Sequence, residues 1–133
     1  MALAVSNYLA NALLNQVFRN TAYTRPTTVY VALYTSNPTA ADTGTEVSGG
    51  DYARQAVTFG APTSVNGKQT ISNSAEIAFP AASADWGTIT HVGIRDAATG
   101  GNLLFYGAVD NPRSILKNDV FKFQANSLSL SLN

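Results

Sequence analysis

At Asn20 the apolar pattern of the chain changes period, from that of a helix to that of strands, and it keeps the shorter period from there on. No other sequence feature limits the fold as much. Before the change, Leu9, Leu13, Leu14, Val17 and Phe18 recur at helical spacing and leave Asn7, Asn11 and Asn15 on another side. Ser6 precedes this run as a capping residue. Arg19 stands where a cation favours the helix dipole, and Asn20 is a stop, so a helix is predicted over about residues 6–19. Its stripe has two possible uses: packing on the core of its own domain, or docking on a neighbouring subunit.

Beyond Asn20 the reading is of strands and turns. TTVYVALYT, Thr27 to Thr35, is dense in β-branched and aromatic residues, and both of its alternating sets are apolar. Such a strand is expected to be covered on two faces. Ser36 to Gly50 collects turn formers and reads as an exposed loop, after which DYARQAVTF resumes alternation. Asn66-Gly67 is the favoured centre of a two-residue hairpin, and AEIAF is a short strand ending at Pro80. ITHVGIRD and NLLFYGAV flank AATGG, whose glycines suit a hairpin loop; DNPRS reads as a turn and NDVFKFQ as a strand. SLSLSLN alternates most cleanly, predicting Leu128, Leu130 and Leu132 inward and the serines and Asn133 outward. About eight short strands with regular turn signals predict a mainly β fold. The expected architecture is an antiparallel β-sandwich or jelly-roll-like domain with one N-terminal α-helix, a single domain over residues 1–133.

Composition narrows the function. Without cysteine, disulfides, thiolate metal sites and a Cys nucleophile are excluded, and one His among scattered acids gives no metal site from this chain alone. Eight cations balance eight anions with no block of either sign, so nucleic acid is not an expected partner. No run approaches the ~18 apolar residues that cross a bilayer. The opening MALAVSNYLANALL lacks a basic leader and is interrupted by asparagines, so neither a signal peptide nor a membrane partner is expected. The Asn37-Pro38-Thr39 triplet is no glycan acceptor because of its proline.

The stretch WGTITHVGIRDAATGGNLLFYG, Trp86 to Gly107, holds the chain's only Trp and only His and is where chemistry would be sought. On a regular strand Ile89, His91, Gly93 and Arg95 share one face, and Thr90, Val92, Ile94 and Asp96 the other, so Asp96 cannot orient His91. No Gly-x-Ser-x-Gly elbow, phosphate loop or calcium loop is present, and the acids Asp42, Glu46, Asp51, Glu76, Asp85, Asp96, Asp110 and Asp119 mostly fall in or beside turns. Trp86 reads as an anchor closing one end of the fold, and Arg95 and Asp96 as hairpin contacts. No catalytic, cofactor-binding or metal-binding residue is assigned.

The same stretch, with ALAVSNYLANALLN and PTTVYVALYTSNPTAADTGTEVSGGDYARQAVTF, resembles a family of small virion proteins of tailed bacteriophages and prophages, labelled as tail-fibre or head-decoration proteins. The likeness runs through nearly the whole chain. It implies a non-enzymatic structural β domain without cofactors, made in the host bacterial cytoplasm and located in the virion. The expectation is a capsid decoration or cement protein that stabilises the head by bridging major capsid subunits. The alternative is a tail-tip or tail-fibre-associated protein involved in host attachment, with loops such as Asn37 to Gly50 meeting a glycan. Its partners would be the major capsid protein or other virion proteins, and copies of itself in a dimer or trimer. The apolar surfaces that would make these contacts are the helix stripe, through Leu9, Leu13 and Val17, and the two-faced strand, through Tyr30 and Tyr34.

Overall fold

The densest apolar run in the chain becomes an interior strand. In the computed structural model, which describes residues 1–132, β2 (Val29–Tyr34) lies between two neighbours, and Val31 to Tyr34 are all at most 1% exposed. Both of its faces are covered, as the sequence predicts. The other elements are β1 (Ala2–Val5), α1 (Asn7–Phe18), β3 (Gln55–Val57), β4 (Thr63–Val65), β5 (Lys68–Ser72), β6 (Ile77–Ala78), β7 (Gly87–Arg95), β8 (Leu103–Ile115), β9 (Lys122–Phe123) and β10 (Ser129–Ser131).

Eight strands form one sheet in the order β3-β2-β7-β8-β1-β10-β5-β4, while β6 and β9 pair separately. Every pairing is antiparallel except β1 with β10, which run parallel. The fold is mainly β with one helix, and its sandwich character is uneven. The large sheet is one layer, and the β6–β9 pair with its flanking loops supplies the other side of the core. Leu3, Leu33, Val92, Ile94, Phe105, Ile115 and Leu130 from the sheet meet Ile77, Phe79, Trp86, Phe121 and Phe123 there. A smaller cluster of Ala32, Tyr34 and Leu103, with Tyr106 beside it, covers the reverse face of β2, β7 and β8.

Local signals act as expected. Ser6 caps α1, its Oγ accepting from the Leu9 N–H at 3.1 Å, and Asn20 beyond the helix adopts φ +52°. Asn66 and Gly67, with φ of +52° and +79°, close the β4–β5 hairpin in the conformation that two-residue loops require. One element is unforeseen and three expectations are corrected. Ala2–Val5, which precedes the helix, is a strand in the middle of the sheet. DNPRS, expected as a turn, lies within β8; the ladder jumps from Ile89↔Arg113 to His91↔Ala108, so the residues between bulge out and Pro112 needs no ladder partner. That irregularity also breaks the alternation of β7, putting Ile89 in the core with Val92 and Ile94 rather than on the side of His91. Finally, Leu128 and Leu130 are buried, but Leu132 is 68% exposed. The position of Asn133 lies outside the described residues.

Candidate functional site

The residues gathered between Trp86 and Gly107 do not converge. Trp86 is buried, its Nε1–H donating to the Gly50 carbonyl at 2.9 Å and its ring meeting Tyr52 edge-on. Half-buried His91 has Thr90 Oγ1 2.8 Å from its Nδ1, and burial holds its pKa below the usual value. The nearby acids have structural partners. Asp85 accepts from the Lys117 N–H, Asp96 from the Asn102 N–H and side chain, and Asp119 from the Leu116 N–H. Among the described residues no cluster of His, Asp and Glu could hold a metal ion.

Two arginines organise one end of the sheet. Arg54 donates through Nη2 and Nε to the Glu46 carboxylate at 2.7 and 2.8 Å, and through Nη1 to the carbonyls of Ala97 and Gly100 at 2.8 Å each. Arg95 binds both oxygens of Asp42, at 2.8 and 3.0 Å, and the carbonyls of Gly100 and Gly101; its Nη1 also donates to Tyr34 Oη at 3.0 Å. The segment expected as an exposed loop is mostly exposed but is pinned to the β7–β8 turn, with Pro38 and Val47 buried.

Burial works against ionisation of Glu46, yet the hydrogen bonds from Arg54 and Tyr52 outweigh it and hold the carboxyl below its usual range. Burial, reinforced by that hydrogen bond to Glu46, pushes the Tyr52 phenol up. Burial likewise opposes the charge on Arg95, and the bonds to Asp42 and Tyr34 more than offset it. Nothing in the local sequence announces these pairs. A cation on a half-exposed strand is ordinary, and its acid lies on another segment.

Beside this network is an open hollow of about 400 Å³, bordered by Glu46, Ser48, Tyr52, Arg54, Thr99 and Gly100. Its one aromatic, Tyr52, stacks on Phe79 and donates its hydroxyl to Glu46.

The opposite chemistry appears around α1. No residue of the helix is buried. Half-buried Leu9 packs against the core and Leu13 is half-buried, but Leu14, Val17 and Phe18 are 56%, 66% and 77% exposed. With Leu132 they form a continuous apolar surface. The strand residues named with them divide. Tyr30 is half-buried, whereas Tyr34 is 1% exposed, enclosed within the protomer beneath Arg95 and next to Gly93, and so offers no contact surface.

An extended β scaffold, an arginine-pinned loop end and an uncovered apolar helix are features of a building component. No helix among the described residues is long and apolar enough to cross a membrane. No curated protein matches the chain. The sequence profile of the family described as "Gp80: Podophage GP4 fiber I protein gp80" matches residues 4–131, from the first strand to the last. The chain therefore belongs to this family of phage fibre proteins and is a small virion protein of the tailed phages.

Proposed function

We propose that the protein is a structural subunit of a podophage-type fibre, joined to neighbouring virion proteins through the apolar face of α1. The observation that carries this reading is the family match over residues 4–131, which takes in the helix and all of the sheet but the first two residues of β1. It favours the fibre over the capsid-decoration position, since the matching family is described as a fibre protein. The role is mechanical rather than catalytic. The exposed Val17 and Phe18 supply what a joint requires, apolar surface that gains free energy when another protein excludes water from it.

The test is to locate the protein in the parent particle by electron cryomicroscopy, with antibody labelling as an independent marker. Density and label on the tail fibres are expected. Label confined to the head shell would refute the fibre reading and restore capsid decoration.

A further inference from the structure

Between Ala108 and Arg113, β8 leaves its ladder with β7, and Asp110, Asn111, Pro112 and Arg113 are all exposed. Bulges of this kind re-aim the side chains next to them. The Arg113 guanidinium lies over the ring of Phe121, 5.6 Å from its centroid, the one cation held against an aromatic ring among the described residues. Arg113 and Phe121 border an open hollow of about 230 Å³, whose apolar wall continues through Val109 and Phe123. Met1 also borders it, so the hollow lies at the opposite end of β1 from α1.

Arg113 differs from the two arginines of the loop network. Arg54 and Arg95 each meet a carboxylate, whereas Arg113 forms no ion pair among the described residues. Asp110 borders the same hollow without pairing with it, and Lys122, also on the rim, is 3.9 Å from Glu76. An arginine that only covered Phe121 would leave its five N–H donors to water. Here they border a hollow with room for an acceptor.

We infer that this hollow receives one carboxylate, a glutamate side chain presented by a different virion protein. The inference rests on the reading of the chain as a virion component and adds a contact separate from the α1 face. Charge selects the ligand. Two cationic side chains, Arg113 and Lys122, stand against one anionic side chain, Asp110, so the rim has a surplus of one positive charge, which suits a monoanion and not a phosphate chain. Geometry selects it too, because a planar guanidinium matches a carboxylate through two parallel N–H···O bonds. Val109, Phe121 and Phe123 supply apolar surface for the methylene stem of a glutamate. On the free protein such a pair is weak, and it strengthens when a partner surface excludes water around it.

The test has two arms. In the first, the full chain is titrated with the blocked peptide acetyl-Ala-Glu-Ala-amide, its Gln counterpart and inorganic phosphate, followed by the backbone amide resonances near Asn111, Arg113 and Lys122. Saturable binding of the Glu peptide in the millimolar range is expected, with the Gln peptide and phosphate about 10-fold weaker or more. Arg113→Gln should weaken Glu-peptide binding about 10-fold, Arg113→Lys about 3-fold or more for want of the second parallel bond, and the remote control Arg25→Gln not at all. Arg113 and Arg25 are exposed, so the variants fold, which circular dichroism verifies. No saturable shift, equal binding of the Gln peptide, tighter binding of phosphate, or an R113Q variant that binds as well as the wild type overturns the inference.

In the second arm, zero-length carbodiimide coupling of the parent particle should join Lys122 to a glutamate of a different virion protein. Coupling to Glu76 alone, or to another copy of this chain, overturns the inference. Neither arm depends on where the protein sits. A fibre-located protein that fails both sinks only this contact, and a head-located protein that passes both sinks only the fibre reading.

Discussion

Replacing Glu46 by Gln tests whether the arginine network holds the loop end in place. The carboxylate accepts three hydrogen bonds, from Tyr52 at 2.6 Å and from Arg54 at 2.7 and 2.8 Å, with an Arg54 donor on each oxygen. Whichever way the introduced amide turns, its NH₂ faces a guanidinium N–H. At least one charged bond is lost, and Arg54, with its side chain 8% exposed, is left without a counter-charge. Breaking a fully buried pair costs about 3–5 kcal/mol, but water reaches the 24%-exposed Glu46 side chain, so about 2–3 kcal/mol is expected. For a domain of this size that lowers Tm by about 10 °C.

The pH dependence supplies the sharper readout. The carboxyl's pKa in the folded state is below the ordinary 4.5, so its contribution is complete above that value and is lost as pH falls through the depressed one. Gln does not titrate. The gap in Tm between wild type and E46Q, followed by circular dichroism from neutral pH into acid, therefore narrows below about pH 4.5. A gap independent of pH, or one below about 0.5 kcal/mol, the range of ordinary surface substitutions, refutes the argument.

Two further substitutions probe the rest of the scaffold. Gly50 has φ +58°, and a Cβ there would lie 2.8 Å from Trp86 Nε1 and 2.9 Å from the Ala84 carbonyl, so Gly50→Ala is expected to cost about 2–4 kcal/mol by strain and overpacking. Its diagnostic is altered native-state fluorescence of the single tryptophan, and an unchanged spectrum with unchanged Tm counts against the contact. Leu128 is fully buried, and Leu128→Ala should cost about 2–5 kcal/mol in denaturant titration, against less than about 1 kcal/mol if the C-terminal strand is peripheral to the core.

What could be read from sequence is what is local. The helix ends follow from Ser6 and Asn20, and the β4–β5 hairpin from Asn66-Gly67, because each signal acts within a few residues. β1 escapes such reading: Ala2–Val5 is short, runs into a helical pattern, and gains its partners from residues 105–106 and 129–130. The faces of β7 misread for a related reason, since the register shift near Thr90 depends on how β8 bulges. Leu132 alternates correctly with Leu130, but alternation cannot say where the cover over a sheet face stops. At the candidate site, the stripe through Leu13 and Val17 was legible as apolar surface in excess. Which tyrosine of β2 would be sealed inside was not, because Tyr34 is enclosed by Arg95, whose pairing with Asp42 spans 53 residues.

The helix that bears the apolar face is held mainly at one end, and this has a measurable consequence. Ser6 is 1% exposed; its N–H donates to the Leu104 carbonyl, its Oγ donates to the Leu103 carbonyl at 2.6 Å, and the same Oγ caps the Leu9 N–H. Through Ser6, α1 continues directly from β1, the strand that links the two halves of the sheet. Beyond that anchorage the helix packs only half-buried side chains such as Leu9, and a twelve-residue helix with so little tertiary support is marginal in water. Ser6→Ala removes the cap and one acceptor's partner, worth about 1–2 kcal/mol. Because so little of the core depends on α1, the loss should appear as local opening. Amides of the first helical turns should exchange about 5- to 30-fold faster, while the unfolding midpoint reported by Trp86 moves by far less than the same free energy would shift it globally. If the Trp86 midpoint falls by the full amount and helix exchange is unchanged, α1 is an integral part of the core. In that case its exposed face is not a free joint, and the proposed contact with neighbouring virion proteins through Val17 and Phe18 loses its physical basis.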